Sequence, residues 1–135
     1  MACAGLPASA QARTLDNPII NENGCIGNVA LTYDDLWTVG GAGHIHCPAW
    51  MAPARPQALL WIERSGASVA ISGGPLLPHP TLGLSVDPPR IATFGYLENT
   101  YRVCLLVARG TDGFQISKKC TRSMKLSTTR QVIWN

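Results

Sequence analysis

Apolar and polar residues alternate along several short stretches of this chain, and a period of two predicts strands. The clearest stretch is Asn99–Ala108 (NTYRVCLLVA), where Tyr101, Val103, Leu105 and Val107 share one face. Gln57–Arg64 (QALLWIER) alternates in the same way, and Ser65–Gly66 turns it back through Ala67–Ser72 as a hairpin. Ile26–Tyr33 predicts a first strand, followed by a turn at Asp34 and Asp35 and a short strand at Leu36–Val39. Gly40–Gly43 reads as a flexible break, Gly43–Cys47 as a strand entering the core, and Pro48–Pro56 as a loop. Five prolines between Gly73 and Arg90 (Pro75, Pro78, Pro80, Pro88 and Pro89) exclude a central strand there. That segment is expected to be a long crossing connection with one edge strand at Leu82–Val86. A short strand at Ile91–Phe94, a turn at Thr111–Gly113 and a last long strand at Phe114–Leu126 complete the pattern. No long stretch spaces its apolar residues helically. The fold class is all-β.

Composition narrows the reading. With 135 residues, 46% apolar and only 14% charged, the chain can fill one core. No apolar run approaches the ~20 residues of a membrane-spanning helix. The net charge of +3 is unevenly placed: Arg109, Lys118, Lys119, Arg122, Lys125 and Arg130 face a single acid, Asp112, in the C-terminal part. No aromatic set interleaves with these charges, so they read as a solvated face and nucleic acid is not expected as a partner.

The first twelve residues are uncharged, and Ala8–Ser9–Ala10 and Ala10–Gln11–Ala12 fit the small-x-small pattern that precedes signal-peptidase cleavage. Residues 1–12 therefore read as the remnant of a signal peptide, which predicts a secreted protein. Cleavage after Ala12 would remove Cys3 and leave Cys25, Cys47, Cys104 and Cys120, an even set suited to two disulfides. A polar N-terminal arm at 13–24, a β-sandwich at 25–127 and a C-terminal tail at 128–135 follow.

Trp61 lies fourteen residues after Cys47, and Cys104 lies fifty-seven after it. That spacing resembles the immunoglobulin-like sandwich, in which a tryptophan packs against a disulfide joining the two sheets. The resemblance implies a two-sheet antiparallel sandwich with Cys47 bonded to Cys104 and Trp61 in the core beside them. It further implies that Cys25 and Cys120 tie the first strand to the last. One departure is the tyrosine expected two residues before the second cysteine: position 102 is Arg, and Tyr101 lies three before. Four cysteines allow three pairings, so the sequence-local alternative, Cys25–Cys47 with Cys104–Cys120, stays open. The GHIHCP segment, the Tyr-Arg-x-Cys strand and the signal-like start also resemble small secreted sandwich proteins of actinobacteria. That likeness implies export and a compact sandwich, and implies no enzymatic activity or cofactor.

Candidate chemistry is sparse. His44 and His46 share one face of a strand and could chelate copper or zinc, with His79 as a third ligand. No further carboxylate or cysteine pattern completes that shell, and the plainer reading is two histidines on a solvent face. There is no Gly-x-Ser-x-Gly elbow, Ser65 reads as a turn residue, and Asp34 and Asp35 point opposite ways on a strand. The Gly40–Gly43 run lacks the Lys-Ser/Thr of a phosphate loop. An enzyme is not expected. Trp37, Trp50 and Trp134 lie in loop-like or terminal segments, and exposed tryptophan is enriched where proteins bind. Trp37, Trp50 and Met51 form the candidate binding patch, for a protein or a glycan partner. The bland alternative is that they cover the open ends of a small core. The expectation is a secreted binding or structural module, with a copper- or zinc-binding protein as the alternative.

Overall fold

The computed structural model describes residues 13–34, 38–78, 81–87, 90–93, 98–129 and 131–134. The signal-like segment with Cys3, and the candidate residues Trp37 and His79, lie outside them. In chain order the elements are β1 (Arg13–Asp16), β2 (Ile19–Glu22), β3 (Cys25–Tyr33), β4 (Thr38–Cys47) and a 3-10 helix (Ala49–Ala54). Then come β5 (Pro56–Arg64), β6 (Ala67–Pro75), β7 (Leu77–Pro78), β8 (Leu82–Val86) and β9 (Ile91–Ala92). The last are β10 (Thr100–Arg109), β11 (Gln115–Cys120), β12 (Met124–Leu126) and β13 (Val132–Trp134).

Two antiparallel sheets face each other as a sandwich. The first runs β1-β3-β4-β8-β7, with β2 also on β3 and β9 on β4; the second runs β13-β12-β10-β5-β6, with β11 also on β10. Alternation builds the core between them. Val29, Leu31, Val39 and Ile45 face Leu60, Ile62, Tyr101, Val103, Leu105 and Val107, all essentially without exposure. Each such aliphatic or aromatic side chain contributes roughly 1.5–3 kcal/mol by leaving water.

The same alternation overturns the disulfide pairing that the immunoglobulin resemblance implies. The bonds are Cys25–Cys47 and Cys104–Cys120. Cys47 shares the inner parity of Val39 and Ile45, whereas Cys104 lies between Val103 and Leu105 and so points to the outer face of its sheet. Sulfurs on opposite sides of a sheet cannot meet. Cys104 instead stands directly opposite Cys120, and the pair Ile26–His46 puts Cys25 opposite Cys47. Trp61 is outside the core for the same reason: flanked by inward Leu60 and Ile62, it faces outward and is half-buried, not packed between the sheets as the resemblance implies. It does lie beside Cys104 in the strand ladder, but outside the sandwich, where its Nε1 donates to Glu63 Oε2 at 2.8 Å.

Other segments depart from their expected form. Gly40–Gly43 is no break; it lies inside β4. A Cβ on Gly41 would come 2.9 Å from Val103 Cγ1, and one on Gly43 would come 2.4 Å from Leu60 Cδ1. The glycines allow the second sheet to approach. The segment 114–126 is two strands, because the Thr121 hydroxyl accepts the Val103 N–H at 3.0 Å and takes a ladder position from the backbone. The polar arm forms β1 and β2 on β3, and the C-terminal segment forms β13 on β12. Arm residues also reach the second sheet. Arg122 N donates to Asp16 Oδ2 at 2.7 Å, Lys118 N to Glu22 Oε1 at 3.3 Å, and Asn23 Nδ2 to the Ile116 carbonyl at 2.6 Å. These bonds satisfy the Ile116 carbonyl and Lys118 N–H on the outer edge of β11, and the Arg122 N–H just beyond it.

Candidate functional site

An open groove of about 420 Å³ lies where the 3-10 helix meets the turn between β10 and β11. Pro48, extended at φ −60°, starts the helix, and Arg55 ends it in the left-handed region at φ 52°. Gly110 fixes the helix to the turn, donating its N–H to the carbonyls of Ala54 and Arg55 at 3.0 and 2.9 Å. That approach requires glycine, since a Cβ would come 2.4 Å from the Arg55 oxygen. Within the turn, Gly113 takes φ 76°, Phe114 N donates to Asp112 Oδ1 at 3.0 Å, and Arg109 Nε donates to the same oxygen at 3.1 Å. The Phe114 amide, and then the Arg109 guanidinium, hold the Asp112 carboxyl below its ordinary pKa.

The turn and the helix thereby hold up two large aromatic side chains on either side of the groove. Trp50 is 73% exposed and Phe114 66% exposed. Arg109 lies over the Phe114 ring at 5.4 Å from its centroid, a cation–π contact that braces the ring. Met51 is buried and lines the floor with Ile116, its sulfur 3.8 Å from Cys25 Sγ. Of the sequence-derived patch, then, Trp50 projects and Met51 supports, while Trp37 lies outside the described residues. Sequence reasoning misses Phe114 and Ile116. The available signal is an aromatic placed directly after an Asp-Gly turn, with no apolar neighbour in the loop to bury it.

The groove is mainly apolar; its polar lining residues are Asn23, Arg109 and the exposed Gln115. The Asn23 amide is tied to Ile116 O and the Arg109 guanidinium to Asp112.

His44 and His46 lie together on the outer face of the first sheet, ring centroids 4.4 Å apart. Each Nδ1 meets a hydroxyl at 3.1 Å, Ser85 for His44 and Thr81 for His46. Among the described residues, no group of three or more His, Cys, Asp or Glu could hold a metal ion. The described residues also include no helix long and apolar enough to cross a membrane. Neither a protein-family model, nor a curated protein, nor a solved structure matches this chain.

Proposed function

We propose that this chain is an exported, disulfide-stabilised binding module that seats apolar side chains of a protein partner in the Trp50–Phe114 groove. The observation that carries the proposal is the pair of large aromatics left exposed on two separate, braced elements across one groove. Exposed aromatics of this kind supply contact area at low entropy cost and dominate binding energies. The state of the rim favours a protein over a glycan. A sugar needs several convergent hydrogen-bonding groups, whereas here Asn23 Nδ2 is tied to Ile116 and the Arg109 guanidinium to Asp112, which leaves the Gln115 amide and the Asn23 oxygen among a mainly apolar lining. Export is supported by the paired cysteines and by the uncharged, small-residue start of the chain. The immunoglobulin likeness supports the layering of two sheets and nothing finer, because the bond that would define it is not made. The copper or zinc reading is weaker, since His44 and His46 supply two donors and a stable site needs more.

Selection of displayed random peptides on the immobilised protein tests the proposal. Enriched peptides should carry an aromatic or large aliphatic anchor and lose binding at least tenfold to Trp50→Ala and to Phe114→Ala. Both positions are exposed, so folding should be preserved. Equal binding by both variants would refute the groove as the site. Binding to a glycan array that depends on Trp50 would refute the choice of partner.

A further inference from the structure

The second sheet ends in β6, which is nine residues long, is hydrogen-bonded among the described strands only to β5, and carries no charged residue between Gly66 and Leu77. Long free edges are normally blunted by lysine, proline or a covering segment. The described residues place no strand or side-chain hydrogen bond on the outer edge of β6. Two features do bound the usable length. Val69 is an extra residue between the pairs Ile62–Ala70 and Glu63–Ser68, and Pro75 has no N–H. Ala70–Gly74 is left as the open segment.

Its hydrogen-bonding groups can be assigned. Leu76 N donates to Pro56 O at 3.0 Å, so that opposed pair is a hydrogen-bonded one. Antiparallel pairs alternate, which makes Gly74–Ala58 and Ser72–Leu60 hydrogen-bonded as well. The N–H and C=O of Ile71 and of Gly73 therefore point away from β5, toward solvent. Pro75 continues the series, and its missing N–H falls on the same open side.

We infer that this edge pairs with the β6 edge of a second copy of the chain, antiparallel, with Ser72 on the two-fold axis. In that register Ile71 of each copy opposes Gly73 of the other. Both residues carry outward-pointing N–H and C=O groups, so four hydrogen bonds close across the axis with none left over. The side chains match too. Ile71 and Gly73 stand beside the outward-facing Trp61 and Leu59 of β5. Ile71 is 55% exposed and Leu59 40% exposed, with the bare backbone of Gly73 beside Leu59. Ile71 of the second copy fills that gap and lies against Leu59, and the symmetric contact forms on the other side. The absence of charge along the edge means that identical copies meet without repulsion. Such an isologous contact closes on itself. It is smaller than the ~1,600 Å² of a standard interface, so the dimer is expected to be concentration-dependent.

Sedimentation of the intact protein over a concentration series should show a mass rising from 14.4 kDa toward twice that value. Ile71→Lys should weaken association roughly a hundredfold, because the side chain is buried once per copy. Ile26→Lys, at an exposed position on the other sheet, should leave association unchanged. Register is read by cross-linking on a Cys3→Ser background. Two Ser72 Cα atoms on the axis would be ~4.5 Å apart, within disulfide reach. Ser72→Cys should therefore form a covalent dimer under mild oxidation, and Ser68→Cys, displaced from the axis, should not. A monomeric mass up to roughly 1 mM, an Ile71→Lys variant that associates like the parent, or equal cross-linking at positions 68 and 72 would each overturn the inference.

Discussion

Removing the Cys25–Cys47 bond should destabilise the protein more than removing Cys104–Cys120, and the excess should come from the face each bond occupies. Loop length hardly separates them. Closing 22 and 16 residues corresponds to about 3.4 and 3.1 kcal/mol in the loop-entropy treatment. Packing does separate them. Cys25 and Cys47, 0% and 1% exposed, belong to the contiguous core beneath Met51, and replacing both by alanine leaves voids costing about 1 kcal/mol each. Cys104 is also 0% exposed, but it points out of the sandwich beside Trp61, apart from that core, and only its half-buried partner Cys120 can be rehydrated on truncation. The double variant Cys25→Ala/Cys47→Ala should then lose about 5 kcal/mol, and Cys104→Ala/Cys120→Ala, with one buried void instead of two, about 4 kcal/mol. Five kcal/mol lies at the lower bound of the whole stability of a typical domain, so the first variant should be partly unfolded at room temperature. Urea titrations followed by tryptophan fluorescence would measure both values. Equal losses, or the reverse order, would show that facing direction does not control what these bonds contribute.

Gly43→Ala should cost about 1–3 kcal/mol by forcing Leu60 out of its place, read as a lowered melting temperature; an unchanged melt would mean the sheets can separate freely. Asp34→Ala removes a carboxylate with a side-chain exposure of 3% that accepts from Arg90 Nη1 and Thr38 Oγ1, each at 2.6 Å. Since Arg90 stays half-exposed and can rehydrate, the expected loss is about 2 kcal/mol, measured by urea unfolding. At Glu63, burial raises the carboxyl pKa, but hydrogen bonds from Arg102 and Trp61, with the charges of Arg102 and Lys118, outweigh it and hold the pKa below 4.5. The stability this supplies is present in full above pH 4.5 and is lost as pH falls through the lowered value. Glu63→Gln should flatten that part of the acid limb of a stability–pH curve, and an unaltered limb would contradict the assignment.

Much of the layering was legible because alternation is a local property that a buried face imposes directly. Tyr101, Val103, Leu105 and Val107 announce an inward face, and all four are buried. The disulfide pairing was legible by the same rule, since an inward Val103 and Leu105 put Cys104 outward. Cysteine–tryptophan spacing pointed elsewhere, but spacing along the chain does not encode which side of a sheet a sulfur occupies. The glycines of β4 misled for a different reason. Read locally, a glycine run weakens a strand; here the requirement comes from Leu60 and Val103, which are distant in sequence. The groove was half legible. Trp50 stood out as an unburied tryptophan in a loop, but its meeting with Phe114 depends on the clamp between Gly110 and the Ala54–Arg55 carbonyls, for which the sequence carries no local pattern.

The arm bonds from Asp16, Glu22 and Asn23 have a consequence for aggregation. They lay the arm along β11, occupying its Ile116 carbonyl and Lys118 N–H and the Arg122 N–H beyond it, where another strand would otherwise pair, and the strands at the remaining sheet ends are only two to four residues long. A molecule able to extend its sheets in two directions would polymerise into fibrils. One sealed on one flank and open on the other can add a single neighbour and then stops growing.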